Sequence, residues 1–441
     1  MIMQSLLPKQ QFAQRRMALM QWMGSDSIAI VPAALQYIRN RDADFRYRQD
    51  SDFYYLSGFA EPEAVICIIP NRPQGEFILF CREKDREREI WDGYRAGVEG
   101  AIEIFGADDS YPISKLDEII PVLMEGKKRL YVNLGAQPEF DARVMNWVNS
   151  LRAKTRQGAK APAEFVMLNH LLHELRLYKS ADELNIMRKA GTISANAHIR
   201  AMQKAKHGLY EYELEAEIIH EFMRNGCVAP AYNTIVGSGA NACILHYVDN
   251  RRQMQNGDLV LIDAGAELDH YAADITRTFP VNGRFSAEQK AIYEVVLNAQ
   301  LAAIDAVHPD NHWDKPHTAA VEVLTQGLLD LGLLQGSLAD NIEQGMYREF
   351  YMHRTGHWLG MDVHDVGDYK VADEWRQLEV GMVLTVEPGL YISPDCEKVA
   401  AKWRGIGVRI EDDVLVTKTG HEVMTDAAPK HVIDIEQLMR G

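Results

Sequence analysis

The stretch from Leu259 to Phe279, L-V-L-I-D-A-G-A-E-L-D-H-Y-A-A-D-I-T-R-T-F, carries the reading that decides the fold. Two short apolar runs, Leu259 to Ile262 and Ile275 to Phe279, flank a Gly-containing connection, which reads as two neighbouring strands with a loop or hairpin between them. Asp263 ends the first run and Asp274 begins the second, so pairing the strands brings both acids to one spot. Two carboxylates so placed repel each other and lose hydration unless a proton or a metal cation neutralises them. The competing reading makes Asp263 a turn cap beside Gly265 and puts Asp274 on a solvated edge. Partners elsewhere in the chain decide between the two.

Such partners lie downstream. The run F-Y-M-H-R-T-G-H-W-L-G-M-D-V-H-D-V-G holds His353, His357 and His364; L-T-V-E-P-G-L-Y-I reads as a strand ending at Glu387, stopped by Pro388-Gly389. The segment G-I-G-V-R-I-E-D-D-V-L-V-T-K-T-G-H alternates apolar and polar, which puts Arg409 and Glu411 on one face of a strand. Asp263, Asp274, Glu387 and Glu411 thus each interrupt an apolar strand, where a lone carboxylate is costly, and one shared cation site explains all four together. His357 adds a neutral nitrogen donor. Four carboxylates and one imidazole suit two divalent ions bridged by a shared carboxylate, and hard oxygen ligands without thiolate favour manganese, with cobalt, iron and zinc as alternatives. Paired metals about 3.5 to 4 Å apart make hydroxide near neutral pH, so the implied reaction is hydrolysis. No H-E-x-x-H and no G-x-S-x-G offers another hydrolytic route.

Upstream of the central stretch, Y-N-T-I-V-G-S-G-A-N-A-C-I-L-H-Y resembles a phosphate loop only superficially: it lacks a third Gly and a Lys-Ser/Thr. It reads as a glycine-flexed strand and loop delivering His246. Capping boxes open helices at Ser180 with Glu183, running to about Lys204, and at Ser286 with Gln289; further helices span about Tyr212 to Arg224 and Thr318 to Leu331. The basic, Pro/Gly-containing run Arg152 to Glu164 is the expected domain boundary, giving domains 1–160 and 161–441.

The N-terminal part opens with a helix from Gln10 to Met23, followed by a strand at Ser27 to Val31 and a polar, aromatic loop leading into Phe53 to Leu56. Strands follow at Ala64 to Ile69, Glu76 to Phe80 and Arg129 to Leu134, with a helix around Phe140 to Leu151. Arg82 to Glu89 is nearly all charge, a solvated helix or loop, and Trp91 after it reads by residue type alone as core rather than site.

At 441 residues the chain exceeds one ordinary core, and two domains are expected. A formal net charge of -16 disfavours nucleic acid and anionic membranes as partners and suits small substrates with a cationic end. Five scattered cysteines without C-x-x-C argue for reduced thiols and a cytoplasmic protein. The N-terminus lacks the apolar core of a signal peptide, and no run approaches a membrane span.

Taken together, L-I-D-A-G with D-I-T-R-T-F, H-x-L-G-x-D-V-H-D-V, T-V-E-P-G-L-Y and G-x-R-I-E-D-D resemble the pita-bread metallopeptidases: aminopeptidase P, prolidase and, more distantly, methionine aminopeptidase. Y-R-Q-x-S-D-F-Y-Y-L-S-G-F and E-P-E-A-V are similar to the creatinase-type N-terminal domain of the first two, so the implied fold class is α/β (α+β), a creatinase-like domain before a pita-bread domain. T-I-V-G-S-G-x-N-x-C-I-L-H-Y and G-H-W-L-G-M-D-V-H-D-V-G most resemble bacterial aminopeptidase P. The resemblance implies Asp263 as ligand of one manganese, His357 and Glu387 as ligands of the other, and Asp274 and Glu411 as bridges. It places His246, His353 and His364 at the substrate, where they bind the scissile carbonyl or shuttle protons, and makes Arg409 a support beside Glu411. Glu387 or a histidine would protonate the leaving proline nitrogen. Asp42, Trp91, Arg156, Arg354 and Tyr391 fall where the family contacts substrate or closes the pocket, although relatives often have a small residue at position 354. A homo-oligomer, tetramer or dimer, is implied, with a loop near Trp91 reaching a neighbour's active site.

The expected activity is hydrolysis of the Xaa-Pro bond at the N-terminus of peptides with proline second. That bond is a tertiary amide without N–H, and a dimetal hydroxide needs no grip on it. The alternatives are a prolidase, a metal-free pita-bread binding protein and a creatinase-like amidinohydrolase.

Overall fold

The computed structural model describes residues 5–440. The chain divides into two compact units between Leu175 and Arg176. That is downstream of the expected boundary at 160, because Glu164–Val166 adds a parallel edge strand beside Arg129–Tyr131 and so extends the first unit's sheet.

The first unit is built on a six-stranded mixed sheet ordered Asp109–Pro112, Phe77–Cys81, Val65–Ile68, Ser27–Pro32, Arg129–Tyr131, Glu164–Val166. V-I-C-I and F-I-L-F-C are buried at every position, which explains their unbroken apolar sequence: strands covered on both faces have no reason to alternate. Leu116, Ile120, Val144, Trp147 and Val148, from the helices Leu116–Met124 and Pro138–Ala153, pack on Ile28, Ile30, Cys67 and Phe80. Phe53 to Leu56 lies in a helix, Ser51–Ser57, capped by Asp50 accepting from the Phe53 N–H at 2.9 Å. Arg15 and Arg16, buried on the helix Lys9–Met23, donate to the last-turn carbonyls of Tyr55 and Leu56 at 3.2 and 2.7 Å.

In the second unit the capping boxes at Ser180/Glu183 and Ser286/Gln289 open the helices Ala181–Lys204 and Ala287–Asp305, with Glu211–Arg224 and Lys315–Asp330 following. Leu259–Asp263 lies between Ile235–Ser238 and Thr276–Pro280, antiparallel to both, with Asp263 opposite Thr276. A second antiparallel sheet joins Val383–Val386, Asp412–Thr417 and Gly420–Val423, and Gly389–Tyr391 pairs with Gly407–Arg409. Trp358, Leu384, Val386, Val414 and Ala303 form the core beneath them.

Two glycines set the approach of the site-bearing segments. A Cβ at Gly265 would sit 1.6 Å from the Ala273 carbonyl, and one at Gly356 would sit 2.0 Å from the Thr385 carbonyl. Glycine is required where Asp263 turns toward Asp274 and where His357 is laid beside the strand leading to Glu387. Among the described residues no helix is long and apolar enough to cross a membrane.

Candidate active site

Five separate segments of the second unit converge on one cavity of about 490 Å³. Asp263, Asp274, His357, Glu387 and Glu411 line it, as do His246, His353, His364, Arg354 and Arg409. Tyr391 lies just behind, buried. Asp42, Trp91 and Arg156 belong to the first unit and are exposed there. Trp91, on the helix Arg86–Asp92, is 85% exposed, so the core reading of this tryptophan is corrected: the helix has no buried residue and its charged face leaves the ring in solvent.

The strand pairing carries the two aspartates to one point. Tyr232 marks it: its hydroxyl lies 2.6 Å from Asp263 Oδ1 and 2.5 Å from Asp274 Oδ1. One O–H serves one acceptor at a time, so the second carboxylate oxygen is left without a proton donor from this group. One ligand atom each from Asp274, His357 and Glu411 lies within 4.8 Å of the others. His357 Nδ1 donates to the Trp358 carbonyl at 2.9 Å, which orients the ring so that Nε2 faces Asp274 Oδ2 at 3.4 Å and Glu387 Oε1 at 3.8 Å.

The electrostatics of this nest are unfavourable to bare carboxylates. Burial, reinforced by the Asp274 and Asp263 charges and opposed by His357 and Arg409, pushes Glu387 up to about 7. Burial and the same crowd of acids hold Glu411 well above the usual carboxylate range; burial also raises Asp274. Burial disfavours the charged form of His357, yet Asp274 and Glu387 overcome it and lift the imidazole to about 9. A site of four carboxylates, three of them buried, and one oriented imidazole, with Glu387, Glu411, Asp274 and His357 held away from their ordinary protonation, fits divalent cations.

Around the acids runs a layer of donors. Arg409, buried, donates through Nη2 to Asp263 Oδ2 at 2.6 Å, through Nε to Thr276 Oγ1 at 3.0 Å and through Nη1 to the Tyr391 hydroxyl at 3.0 Å. Its carboxylate partner is Asp263; the strand Gly407–Arg409 ends before Glu411, so the two residues expected on one strand face do not share a strand. Glu411 is held by the Thr276 hydroxyl at 2.6 Å. Having accepted from Arg409, Tyr391 donates to His353 Nε2 at 2.9 Å, while His353 Nδ1 faces the Arg354 carbonyl at 2.7 Å. Burial, aided by Arg409, brings His353 down to about 4. His364, its ring centroid 4.3 Å from that of His357, is lowered by burial and by His357 and His246.

Beneath Glu411 the fully buried Arg277 donates to the Glu411 carbonyl at 2.6 Å and to Asp412 Oδ1 at 2.7 Å; Gln300 and Lys430 also donate to Asp412, at 2.7 and 2.8 Å. These ties hold Asp412 ionised, well below the usual carboxylate range, despite burial. Sequence reasoning assigned no role to Tyr232, Thr276, Arg277 or Asp412. The alternation T-R-T inside an apolar strand was the available signal for two of them; nothing local marked Tyr232.

The model of metallopeptidase family M24 matches residues 185–418, and that of the aminopeptidase P N-terminal domain matches residues 12–131. The sequence is 45% identical over 436 residues to the Xaa-Pro aminopeptidase of Escherichia coli (strain K12), covering 99% of this chain and 98% of that protein. The solved structure of the Pseudomonas aeruginosa aminopeptidase PepP is similar with a TM-score of 0.98 and 60% identity, covering 98% of each chain. Zinc-substituted Escherichia coli aminopeptidase P in complex with product is similar with a TM-score of 0.96 and 45% identity, again over 98% of each chain.

Proposed function

The chain belongs to metallopeptidase family M24, with an aminopeptidase P-type N-terminal domain before a pita-bread domain, and from that premise we propose that it is an Xaa-Pro aminopeptidase. Its substrates are peptides with proline second, from which it releases the first residue. The observation that carries the reading is the convergence of Asp263, Asp274, His357, Glu387 and Glu411 on one cavity in a chain so close to enzymes of that name.

Two divalent ions fit this donor set: four carboxylates carry a formal charge that two such ions neutralise. Asp263 would hold one, His357 and Glu387 the other, and Asp274 and Glu411 both; manganese suits the oxygen-rich set. When bound, the ions lower the pKa of a shared water and supply hydroxide near neutral pH.

The chain's own groups do the rest. Arg409 donates to Asp263 and orients it, and Thr276 orients Glu411. His353, with both ring nitrogens engaged, positions Tyr391 and the wall around it. His364 and His246 line the cavity and face the scissile carbonyl, where an imidazole N–H stabilises the developing oxyanion. Glu387, 3.7 Å from His353 Nδ1, carries the proton to the departing proline nitrogen.

Assembly into a homo-oligomer, a tetramer or dimer, is supported by Ile90, Trp91 and Tyr94, which are 76, 85 and 75% exposed in the first unit. Asp42 and Arg156 would join Trp91 as substrate-closing groups. Five free cysteines, three of them buried, support a cytoplasmic location. The test is to assay Xaa-Pro, Xaa-Pro-Yaa and longer peptides with manganese, after metal removal and readdition. Release of the first residue, fastest from tripeptides and longer peptides, is expected; strict preference for dipeptides would move the assignment to prolidase.

A further inference from the structure

Arg354 and Arg409 are the two guanidinium groups lining the cavity, and only one has donors to spare. Arg409 commits Nε, Nη1 and Nη2 to Thr276, Tyr391 and Asp263. Arg354 has no carboxylate partner among the described residues. Its guanidinium lies over the Trp375 ring, 5.1 Å from the centroid, while Lys370 Nζ stands 4.6 Å from the same centroid. Trp375 and Lys370 belong to a tight hairpin, Lys370–Val371 paired with Glu374–Trp375, turned by Ala372 and Asp373 at positive φ.

A guanidinium resting on an aromatic face keeps its N–H edge free, and that edge matches a carboxylate in two parallel hydrogen bonds. Elsewhere the cavity wall is acidic, so a peptide carboxylate entering it is repelled by Asp263, Asp274, Glu387 and Glu411 until those charges are neutralised. Of the two guanidinium groups on that wall, Arg354 is the one whose donors are not committed to neighbouring side chains, and it attracts the carboxylate. From this we propose that Arg354 is a specificity-determining residue that receives the C-terminal carboxylate of a short peptide substrate, with Trp375 as the platform that positions it. The inference rests on the peptidase reading above, and it sets a preference for free peptide ends over blocked ones.

The experiment compares kcat/KM for Xaa-Pro and Xaa-Pro-Yaa, each as free acid and as C-terminal amide, in the metal-loaded enzyme. For at least one of the two lengths the free acid should be favoured roughly tenfold, the scale of a charge-assisted hydrogen-bonded pair at a partly wet site. In Arg354→Gln that ratio should fall to about one, with Arg354→Lys between; Trp375→Leu should lower it in part. The ratio is internal to each variant, so a variant with less active protein still reports it. Equal ratios in wild type and Arg354→Gln, or no acid preference at either length in wild type, would overturn the proposal while leaving the peptidase reading intact. Failure to cleave any of the four peptides would overturn both.

Discussion

Arg409 and Asp263, 146 residues apart in the chain, form a buried ion pair with Nη2 2.6 Å from Oδ2. The same guanidinium serves Tyr391 and Thr276, so three polar groups of the site depend on one side chain. Arg409→Ala leaves all three short of a donor, including a buried carboxylate. Metal-free Arg409→Ala should lose about 3–5 kcal/mol of stability, the usual cost of breaking a buried pair. Arg409→Lys, which replaces a planar fork with one point charge, should recover only part of this. Denaturant unfolding of both variants measures the difference, and an unchanged midpoint for Arg409→Ala would refute the assignment.

Thr276→Val tests the layer behind the ligands at nearly constant volume. It removes the hydroxyl that donates to Glu411 Oε2 and accepts from Arg409 Nε. A loss of about 1–3 kcal/mol is expected from the unsatisfied buried groups, and metal affinity should fall roughly 10–100-fold. Isothermal titration with manganese reads the second effect; wild-type affinity would show that Glu411 needs no such support.

Ligands and substrate groups should separate by metal content. Glu411→Ala removes a shared ligand and should lose metal and rate together. His364→Ala should keep its metal while the rate falls by about 10²–10⁴, the range for a lost acid–base or polarising group. Elemental analysis beside kinetics decides, and equal metal loss in the two variants would show the division to be wrong.

The pH dependence of stability should differ between metal-free and metal-loaded protein. Without metal, Glu387 titrates near 7 instead of 4.5, so the folded state binds more protons than the unfolded one across that interval. Stability from this group is therefore full below about 4.5 and is lost as pH rises through 7. His357, raised from 6.5 to about 9, acts in the same direction at higher pH. Buried His198 and half-buried His317, each lowered to about 4, act oppositely between 4 and 6.5, and among the described residues no ion pair ties either to a ligand carboxylate, so their contribution is common to both forms. The gain in melting temperature from manganese should thus widen steadily from pH 5 to pH 8. A gain independent of pH would show that cations and protons do not compete at these carboxylates.

The carboxylates were legible in the sequence because a charge at the end of an apolar strand is conspicuous: L-V-L-I-D, T-V-E-P and R-I-E-D-D each break a run that burial explains at every other position. Helix starts were legible for a similarly local reason, since Ser180/Glu183 and Ser286/Gln289 satisfy their own first-turn donors. Phe53 to Leu56 shows the limit of such signals. Its helix is fixed by the Asp50 cap together with arginines forty residues upstream, which meet its last carbonyls. What only the tertiary structure decided is which groups meet. It gave Arg409 to Asp263 rather than to its near neighbour Glu411, set the Tyr232 hydroxyl between two aspartates, left Trp91 in solvent and put Arg354 on the cavity wall. Periodicity records which face of its own element a residue occupies; a hydrogen bond between side chains more than a hundred positions apart depends on how the elements pack, and no local spacing encodes that.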